Sequence, residues 1–74
     1  MKKLQADQLK CIMFNYDIPG IQLAYHLNYS KQHISALRSG RFPISHEFQA
    51  LLCNFLMEYR SVSFEEAAEV TKLK

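Results

Sequence analysis

Apolar side chains recur along the chain at intervals of three and four residues, and no segment shows a convincing period of two. Intervals of three and four place side chains on one face of an α-helix. The longest such stripe is Phe48, Leu51, Leu52, Phe55, Leu56 and Tyr59. We therefore predict an all-α fold, a compact bundle of five short helices that forms a single domain over residues 1–74.

Turn residues and capping residues set the expected helix bounds. The helices are predicted for about residues 4–15, 21–27 and 31–38, with a fourth that begins after Ser45 and a fifth that begins after Ser63. Pro19 and Gly20 separate the first two, and Gly40 suits the C-terminal cap of the third. The Ser45 and Ser63 hydroxyls can cap the last two helices, and Ser63 and Glu66 have the spacing of a capping box.

Length and composition exclude several protein classes. With 74 residues there is room for one small domain, and 49% apolar with 22% charged residues argues against disorder. No apolar run approaches the roughly 18 residues needed to span a bilayer, and Gln5, Asp7 and Lys10 interrupt any N-terminal signal segment. A cytoplasmic protein without membrane contact is expected.

The chain offers little for catalysis or metal binding. Cys11 and Cys53 lie in apolar helical segments and are expected as reduced, buried thiols, with a disulfide as the alternative. The three histidines do not combine with them in a zinc-ligand spacing. There is no plausible carboxylate pair, phosphate-binding glycine loop or nucleophile with an adjacent base. We expect no catalytic residue, no metal and no cofactor, and hence no enzyme.

The net charge of +2 is unevenly distributed. No acidic residue lies between Asp17 and Glu47, whereas residues 61–74 carry three glutamates against two lysines. The acid-free segment contains Lys31, Arg38, Arg41 and all three histidines. This distribution favours a polyanion such as double-stranded DNA as the partner. An ordinary solvated surface is the alternative.

Residues 20–39, GIQLAYHLNYSKQHISALRS, have the composition of two short helices that cross at a steep angle. Ala24 allows close approach, and Asn28 can take the left-handed conformation that ends a helix. Ser30 can cap the next helix by accepting from the amide of Gln32 or His33. The apolar positions that would hold the pair on a common core are Leu23, Leu27, Ile34 and Leu37.

This segment and the following GRFPIS resemble the helix-turn-helix of the phage repressor, Cro and Xre-type family, and the similarity extends over about residues 4–59. The resemblance implies a lambda-repressor-like DNA-binding domain with a central helix-turn-helix at residues 20–39. The short chain resembles a Cro-like member. It implies a homodimeric transcriptional repressor or autoregulator that binds an inverted-repeat operator through the major groove.

Candidate base contacts lie on the predicted third helix. If Ile34 and Leu37 face the core, Ser35 and Ala36 lie on the opposite side of this helix. The family resemblance implies base contacts for the first two residues of the helix and for Ala36. Lys31 could donate to guanine, Gln32 could pair with adenine, and Ala36 could contact a thymine methyl. The predicted base-contacting residues are Lys31, Gln32, Ser35 and Ala36. A merely polar outer surface is the alternative.

Candidate phosphate contacts flank this helix. They are Gly20, Gln22, Arg38, Ser39 and Arg41. Gly20 would present a backbone amide, since a helix N-terminus attracts anions, and it stands where the family often has a phosphate-contacting glutamine. For Arg38 an ion pair with Asp17 or Glu47 is the alternative.

The last part of the chain, residues 48–74, is the predicted dimerisation region. The candidate interface residues are Phe55, Tyr59, Val62 and Phe64, each of which could instead belong to the core. An alternative function uses the same fold as an antitoxin or another protein-interaction module. Its partner would be a toxin or a host protein, bound by the acidic last helix and the aromatic residues before it.

Overall fold

Five α-helices and no strand make up residues 2–73, the part of the chain that this computed structural model describes. They are α1 (Ala6–Asn15), α2 (Gly20–Leu27), α3 (Lys31–Ser39), α4 (His46–Tyr59) and α5 (Phe64–Val70). The prediction of an all-α fold is confirmed, and a radius of gyration of 10.9 Å shows that the bundle is compact. The ends of the predicted domain, Met1 and Lys74, lie outside the described residues.

The helix ends follow from individual residues. The hydroxyl oxygens of Ser30, Ser45 and Ser63 each accept a hydrogen bond from the backbone amide three residues later, which caps α3, α4 and α5. Asn28 and Gly40 adopt left-handed φ angles of 61° and 84° and end α2 and α3. These five capping predictions are confirmed. Each cap satisfies backbone groups that the helix itself leaves without partners.

Two local predictions need correction. Helix α1 begins at Ala6, so Leu4 precedes it, although Leu4 is buried in the core. The capping box at the start of α5 is only half formed, because the Glu66 carboxylate accepts a hydrogen bond from the Tyr16 hydroxyl. That bond joins α5 to the end of α1, and a long-range contact thus replaces a local one.

Helix α4 joins α5 to the α2–α3 pair. It contacts α2 on one side and α5 on the other, while α3 packs against α1 and α2. Side chains from all five helices meet in the core, and Leu9, Leu23, Leu52 and Leu56 are completely buried there. Burying each such side chain stabilises the fold by about 1.5–3 kcal/mol. The apolar face of α4 therefore supports both the α2–α3 pair and α5.

A buried glutamine joins the two ends of the described chain. The Gln49 Nε2 group donates to the carbonyl oxygens of Lys2, at 2.9 Å, and Thr71, at 2.7 Å. The Lys2 amide in turn donates to the Lys72 carbonyl at 3.2 Å. A buried amide nitrogen is costly unless it is hydrogen-bonded, and the two acceptors of Nε2 come from the two ends of the described chain. These bonds therefore hold both ends against α4.

The cysteines differ in environment. Both are free, and Cys53 is buried as predicted. Cys11 is exposed, which corrects the prediction for that residue: α1 buries Leu9, Ile12 and Met13, and position 11 lies on the other face. Among residues 2–73, no helix is long and apolar enough to cross a bilayer.

Candidate nucleic-acid interface

Helix α3 has one buried side and one exposed side. Ile34, Ala36 and Leu37 are buried, and the exposed side chains are Lys31, Gln32, His33, Ser35, Arg38 and Ser39. The cap at Ser30 fixes the first turn, with the Ser30 hydroxyl oxygen 3.0 Å from the His33 amide nitrogen. Any ligand of α3 therefore meets a polar surface on a helix whose start is structurally defined.

Ala36 does not lie on that exposed surface. Its side chain is only 2% exposed, so the prediction that it faces outward and contacts a thymine methyl is wrong. Helix α3 packs against both α1 and α2, and two neighbouring helices bury a wider arc than the Ile34 and Leu37 positions indicate.

The other three predicted base-contacting residues share one arc of α3. Lys31, Gln32 and Ser35 are all exposed. At about 100° per residue, Ser35 projects between Lys31 and Gln32 when viewed along the helix axis. An ammonium group, a carboxamide and a hydroxyl are thus presented side by side at the N-terminal half of α3. These are donor and acceptor groups that can read base edges in a major groove.

Arg38 connects the end of α3 to the start of α2. Its Nη1 lies 3.4 Å from the position that a β-carbon on Gly20 would occupy. A β-carbon at position 20 would therefore lie in contact with the guanidinium. Arg38 and Asp17 both line an open cleft of about 470 Å³ beside α1, so an acidic group shares this surface with the guanidinium.

The start of α2 lacks a side-chain cap. The residue at its N-cap is Pro19, whose ring has no hydrogen-bonding group. The amides of the first helical turn, which begins at Gly20, therefore receive no side-chain acceptor, and the helix dipole adds partial positive charge there. Gln22, also in this turn, is half-buried, and its Oε1 accepts a hydrogen bond from Arg60 at 2.9 Å. Because Oε1 is engaged with Arg60, only the Nε2 hydrogens of the Gln22 side chain can donate to an external anion.

The last residue of α3 has an engaged hydroxyl, and the loop that follows presents an exposed cation. The Ser39 hydroxyl donates to the Ala36 carbonyl at 3.1 Å, so a phosphate contact by Ser39 would require that bond to break. The Arg41 amide donates to the same carbonyl at 3.0 Å, while the Arg41 side chain is exposed. The tight backbone turn at Gly40 thus places the Arg41 guanidinium just beyond the end of α3.

Aromatic contacts support the flank of α3. The His33 ring lies 4.9 Å from the Tyr29 ring and 5.7 Å from the Phe42 ring, both nearly edge-to-face. Tyr29 in turn contacts Phe48 in α4, at 5.3 Å between ring centroids. Such pairs favour this geometry. His33 is therefore exposed but held against Tyr29 and Phe42, and Tyr29 connects it to the core.

Sequence reasoning missed Arg60, the residue that ends α4. Its side chain hydrogen-bonds the Tyr16 and Asp17 carbonyl oxygens and Gln22, and it lies over the Phe55 ring with its guanidinium carbon 5.5 Å from the ring centroid. The two carbonyls are 44 and 43 residues away in sequence. No local pattern marks an arginine for such distant partners, so only the fold reveals them.

The predicted dimer residues fall into two groups. Phe55 is 2% exposed and lies 5.1 Å from the Tyr59 ring, so the prediction that it contacts a second copy is wrong: it belongs to the core. Tyr59 and Phe64 are 47% and 59% exposed, and Val62 is half-buried. Their role in a dimer stays a prediction.

The surface of α5 has the opposite charge to that of α3. Its exposed side chains include Glu65, Glu66 and Glu69, which line an open groove together with Ser63. No group of three or more histidine, cysteine or acidic side chains within residues 2–73 is arranged to hold a metal ion.

Comparison of the chain with models of known protein families, with curated proteins and with solved structures finds no match.

Proposed function

We propose that the protein binds double-stranded DNA in a sequence-specific manner and regulates transcription, with α2 and α3 acting as a helix-turn-helix. The observation that carries this proposal is the exposed arc of Lys31, Gln32 and Ser35 on a capped helix that lies in an acid-free segment. A solvated helix without a ligand usually carries alternating acidic and basic groups. Here amide, hydroxyl and cationic groups stand together without a carboxylate.

In this proposal α3 enters the major groove and the flanking groups hold the phosphates. Gln32 is suited to adenine and Lys31 to guanine, while Ser35 can bond either base edges or a phosphate. Arg38 and Arg41 follow at the end of α3, where they would contact the DNA backbone without reading sequence. The uncapped amides at the start of α2, from Gly20 onward, suit a further phosphate.

We also infer that the protein acts as a homodimer on an inverted repeat, in the cytoplasm, as a repressor that includes its own promoter among its targets. A domain of 74 residues offers too few contacts for tight specific binding by one copy. Two copies of α3 would then lie about 34 Å apart, one turn of DNA. The exposed Tyr59 and Phe64, with Val62, are the surface we assign to the dimer.

The experiment that tests this function is selection of bound sequences from a random pool of duplexes, followed by binding measurements at several salt concentrations. We expect an enriched palindrome whose affinity falls steeply as salt rises. Replacing Arg41 with alanine should weaken binding to all sequences alike and reduce the salt slope by about one. A pool that remains random after selection would contradict the proposal.

One observation favours a second candidate function, a protein-interaction module such as an antitoxin. The Phe64 side chain is 59% exposed and lies in sequence between Ser63 and Glu65, which line the acidic groove of α5, and the Tyr59 side chain is also exposed. Exposed aromatic groups beside charged ones are typical of protein interfaces. The partner would be a toxin or a host protein with a basic surface. Recovery of one stable partner at moderate salt, with no DNA retained, would support this candidate over the first.

A further inference from the structure

An open recess of about 240 Å³ lies between α2 and α4. Two strips of the α4 surface line it: Phe55 and Tyr59 are spaced by four residues, and so are Asn54 and Glu58, so that each pair lies on one side of the helix. His26, in the last turn of α2, lines it from the other helix. No residue assigned to base or phosphate contacts is among the lining residues. We call this site the α2–α4 recess.

Three aromatic rings along this recess contact one another. The His26 ring centroid lies 4.3 Å from that of Tyr59 and 5.6 Å from that of Phe55, and the Phe55 and Tyr59 centroids are 5.1 Å apart. Phe55 is buried, whereas His26 and Tyr59 are exposed. Because these contacts restrict how far the two exposed rings can turn, the aromatic wall exists before any ligand arrives. The faces of aromatic rings attract cations within about 6 Å.

The electrostatics of the α2–α4 recess also favour a cation. Of the described residues that line it, Glu58 alone carries a formal charge when histidine is neutral, and Asn54 offers a side-chain carbonyl oxygen as a further acceptor. The recess lies at the last turns of both helices, since α2 ends at Leu27 and α4 ends at Tyr59. Helix C-termini carry partial negative charge, so two helix ends add to the field of the Glu58 carboxylate.

The same aromatic cluster already holds one guanidinium. The Arg60 guanidinium carbon lies 5.5 Å from the Phe55 ring centroid, although Arg60 does not line the recess. Carbonyl oxygens in the connection between α1 and α2 accept hydrogen bonds from this group and offset part of its charge. A second guanidinium in the recess would have Glu58 as its own counter-ion.

We propose that the α2–α4 recess binds an arginine side chain presented by a partner protein. A guanidinium can stack on a ring through its flat face and donate hydrogen bonds in its own plane at the same time. The stacking surface is the wall formed by His26 and Tyr59, and the acceptors are the Glu58 carboxylate and the Asn54 carbonyl. A lysine ammonium has no flat face and satisfies only part of this arrangement. The site does not depend on DNA binding.

Titration of the natural protein with N-acetyl-arginine amide, followed by NMR, tests this site. The matched probe is N-acetyl-citrulline amide, which has nearly the same shape but no charge. We expect saturable shifts centred on the signals of His26, Glu58 and Tyr59, with the arginine probe bound roughly fivefold or more tightly than the citrulline probe, the combined effect of a cation–π contact and an exposed ion pair. Equal binding of the two probes, or shifts centred on the glutamates of α5, would overturn the proposal.

Substitutions separate the charge of the recess from its rings. Glu58→Gln should weaken binding of the arginine probe severalfold and leave the citrulline probe unaffected, with little change in the thermal unfolding midpoint because Glu58 is exposed. Glu69→Gln, the same change at an exposed position of α5 outside the recess, is the matched control and should have little effect. Tyr59→Leu should weaken the arginine probe by removing a ring. Equal arginine affinities in the natural protein and Glu58→Gln would overturn the assignment.

Protein concentration distinguishes a partner from a second copy, since Tyr59 also belongs to the surface assigned to the dimer. We expect the affinity for the arginine probe to be the same in dilute and in concentrated protein. A probe that binds only at high dilution would show that a second copy occupies the recess, and this result would overturn the proposal of a separate partner. Duplex binding is measured on separate samples, and its failure would overturn the proposed DNA-binding function but not this site.

Discussion

The α2–α3 and α4–α5 connections share one backbone plan. Each contains a residue other than glycine in the left-handed conformation, Asn28 with φ 61° and Ser61 with φ 56°. In each, a serine two residues later, Ser30 or Ser63, caps the following helix through its hydroxyl. The chain thus uses the same local device, a left-handed residue followed by a serine cap, twice.

The side chains that follow the two caps are opposite in character. Helix α3 opens with Lys31 and Gln32, whereas α5 opens with Phe64 and Glu65. The capping geometry brings each pair into the first helical turn in the same way, and all four side chains are exposed. The same capping geometry therefore presents different chemistry at the start of α3 and at the start of α5.

The largest expected effect concerns the helix that supports both connections. Leu52 is completely buried in α4, and α4 contacts both α2 and α5. Replacing Leu52 with alanine should lower the free energy of unfolding by about 2–5 kcal/mol, because it leaves a cavity between both helix pairs. Met57→Ala, at a position of the same helix that is 38% exposed, should cost about 1 kcal/mol or less. Urea unfolding of both variants measures the contrast, which equal losses would contradict.

The next effect concerns the second residue after each cap. Gln32→Ala should weaken binding to the preferred duplex by about 1–3 kcal/mol and relax the base preference at one position. Glu65→Ala, the matching change in α5, should leave binding unchanged or slightly stronger, since it removes a negative charge far from the proposed interface. Equilibrium binding to the selected duplex and to single-base variants compares them. Equal effects from both substitutions would remove the functional distinction between the two helix starts.

Loss of the caps should affect stability equally and binding unequally. Ser30→Ala and Ser63→Ala each remove one acceptor for a backbone amide. Each should lower the free energy of unfolding by about 1 kcal/mol. Only Ser30→Ala should also lower duplex affinity, because it loosens the turn that carries Lys31 and Gln32. Denaturation and binding are measured on the same protein samples at a temperature well below both midpoints. Ser63→Ala is the control, and a parallel loss of affinity in it would argue against α3 as the contact helix.

The hydrogen bond between Tyr16 and Glu66 of α5 should make the unfolding free energy depend on pH. This bond to the Glu66 carboxylate raises the pKa of the Tyr16 hydroxyl, and burial and the carboxylate charge add to this. Because the folded-state pKa of Tyr16 is raised, its stabilising contribution is fully present at pH values below the unfolded-state pKa of about 10. That contribution is lost as the pH rises through the folded pKa. The difference in unfolding free energy between the natural protein and Tyr16→Phe should therefore shrink above about pH 10.

Unfolding measured at several alkaline pH values tests this dependence. Tyr25→Phe, at a position 81% exposed, is the control and should show no comparable change. Duplex binding near neutral pH should be the same in the natural protein and in Tyr16→Phe. A pH dependence of unfolding identical in the natural protein and Tyr16→Phe would contradict the assigned contact.

The smallest effect distinguishes the two left-handed residues. Ser61→Gly should stabilise the protein by about 0.5 kcal/mol, because glycine relieves a left-handed strain of about 1–2 kcal/mol but loses more entropy on folding. Asn28→Gly should change stability less, since asparagine tolerates this conformation better than serine. Thermal unfolding of the two variants measures the difference. A larger gain at Asn28 than at Ser61 would contradict this ranking.

Local patterns predicted most of the helix architecture. The caps at Ser30, Ser45 and Ser63 and the left-handed Asn28 were predictable because each depends on atoms within a few residues. The buried faces of the helices were less predictable. Ala36 was assigned to the wrong side of α3, and Phe55 to an interface, because a helical period gives the direction of a side chain but not the number of helices that cover it.

By itself, the sequence determined that this chain forms five helices, where most of them begin and end, and that its acid-free segment coincides with α2 and α3. Those properties follow from short-range hydrogen bonding and from the order of charges along the chain. Only the tertiary structure decided which of the candidate side chains remain exposed on α3. It also decided that Arg60 reaches across to Gln22, and that Tyr16 bonds Glu66. Such contacts depend on how whole helices pack, and no short stretch of sequence contains that information.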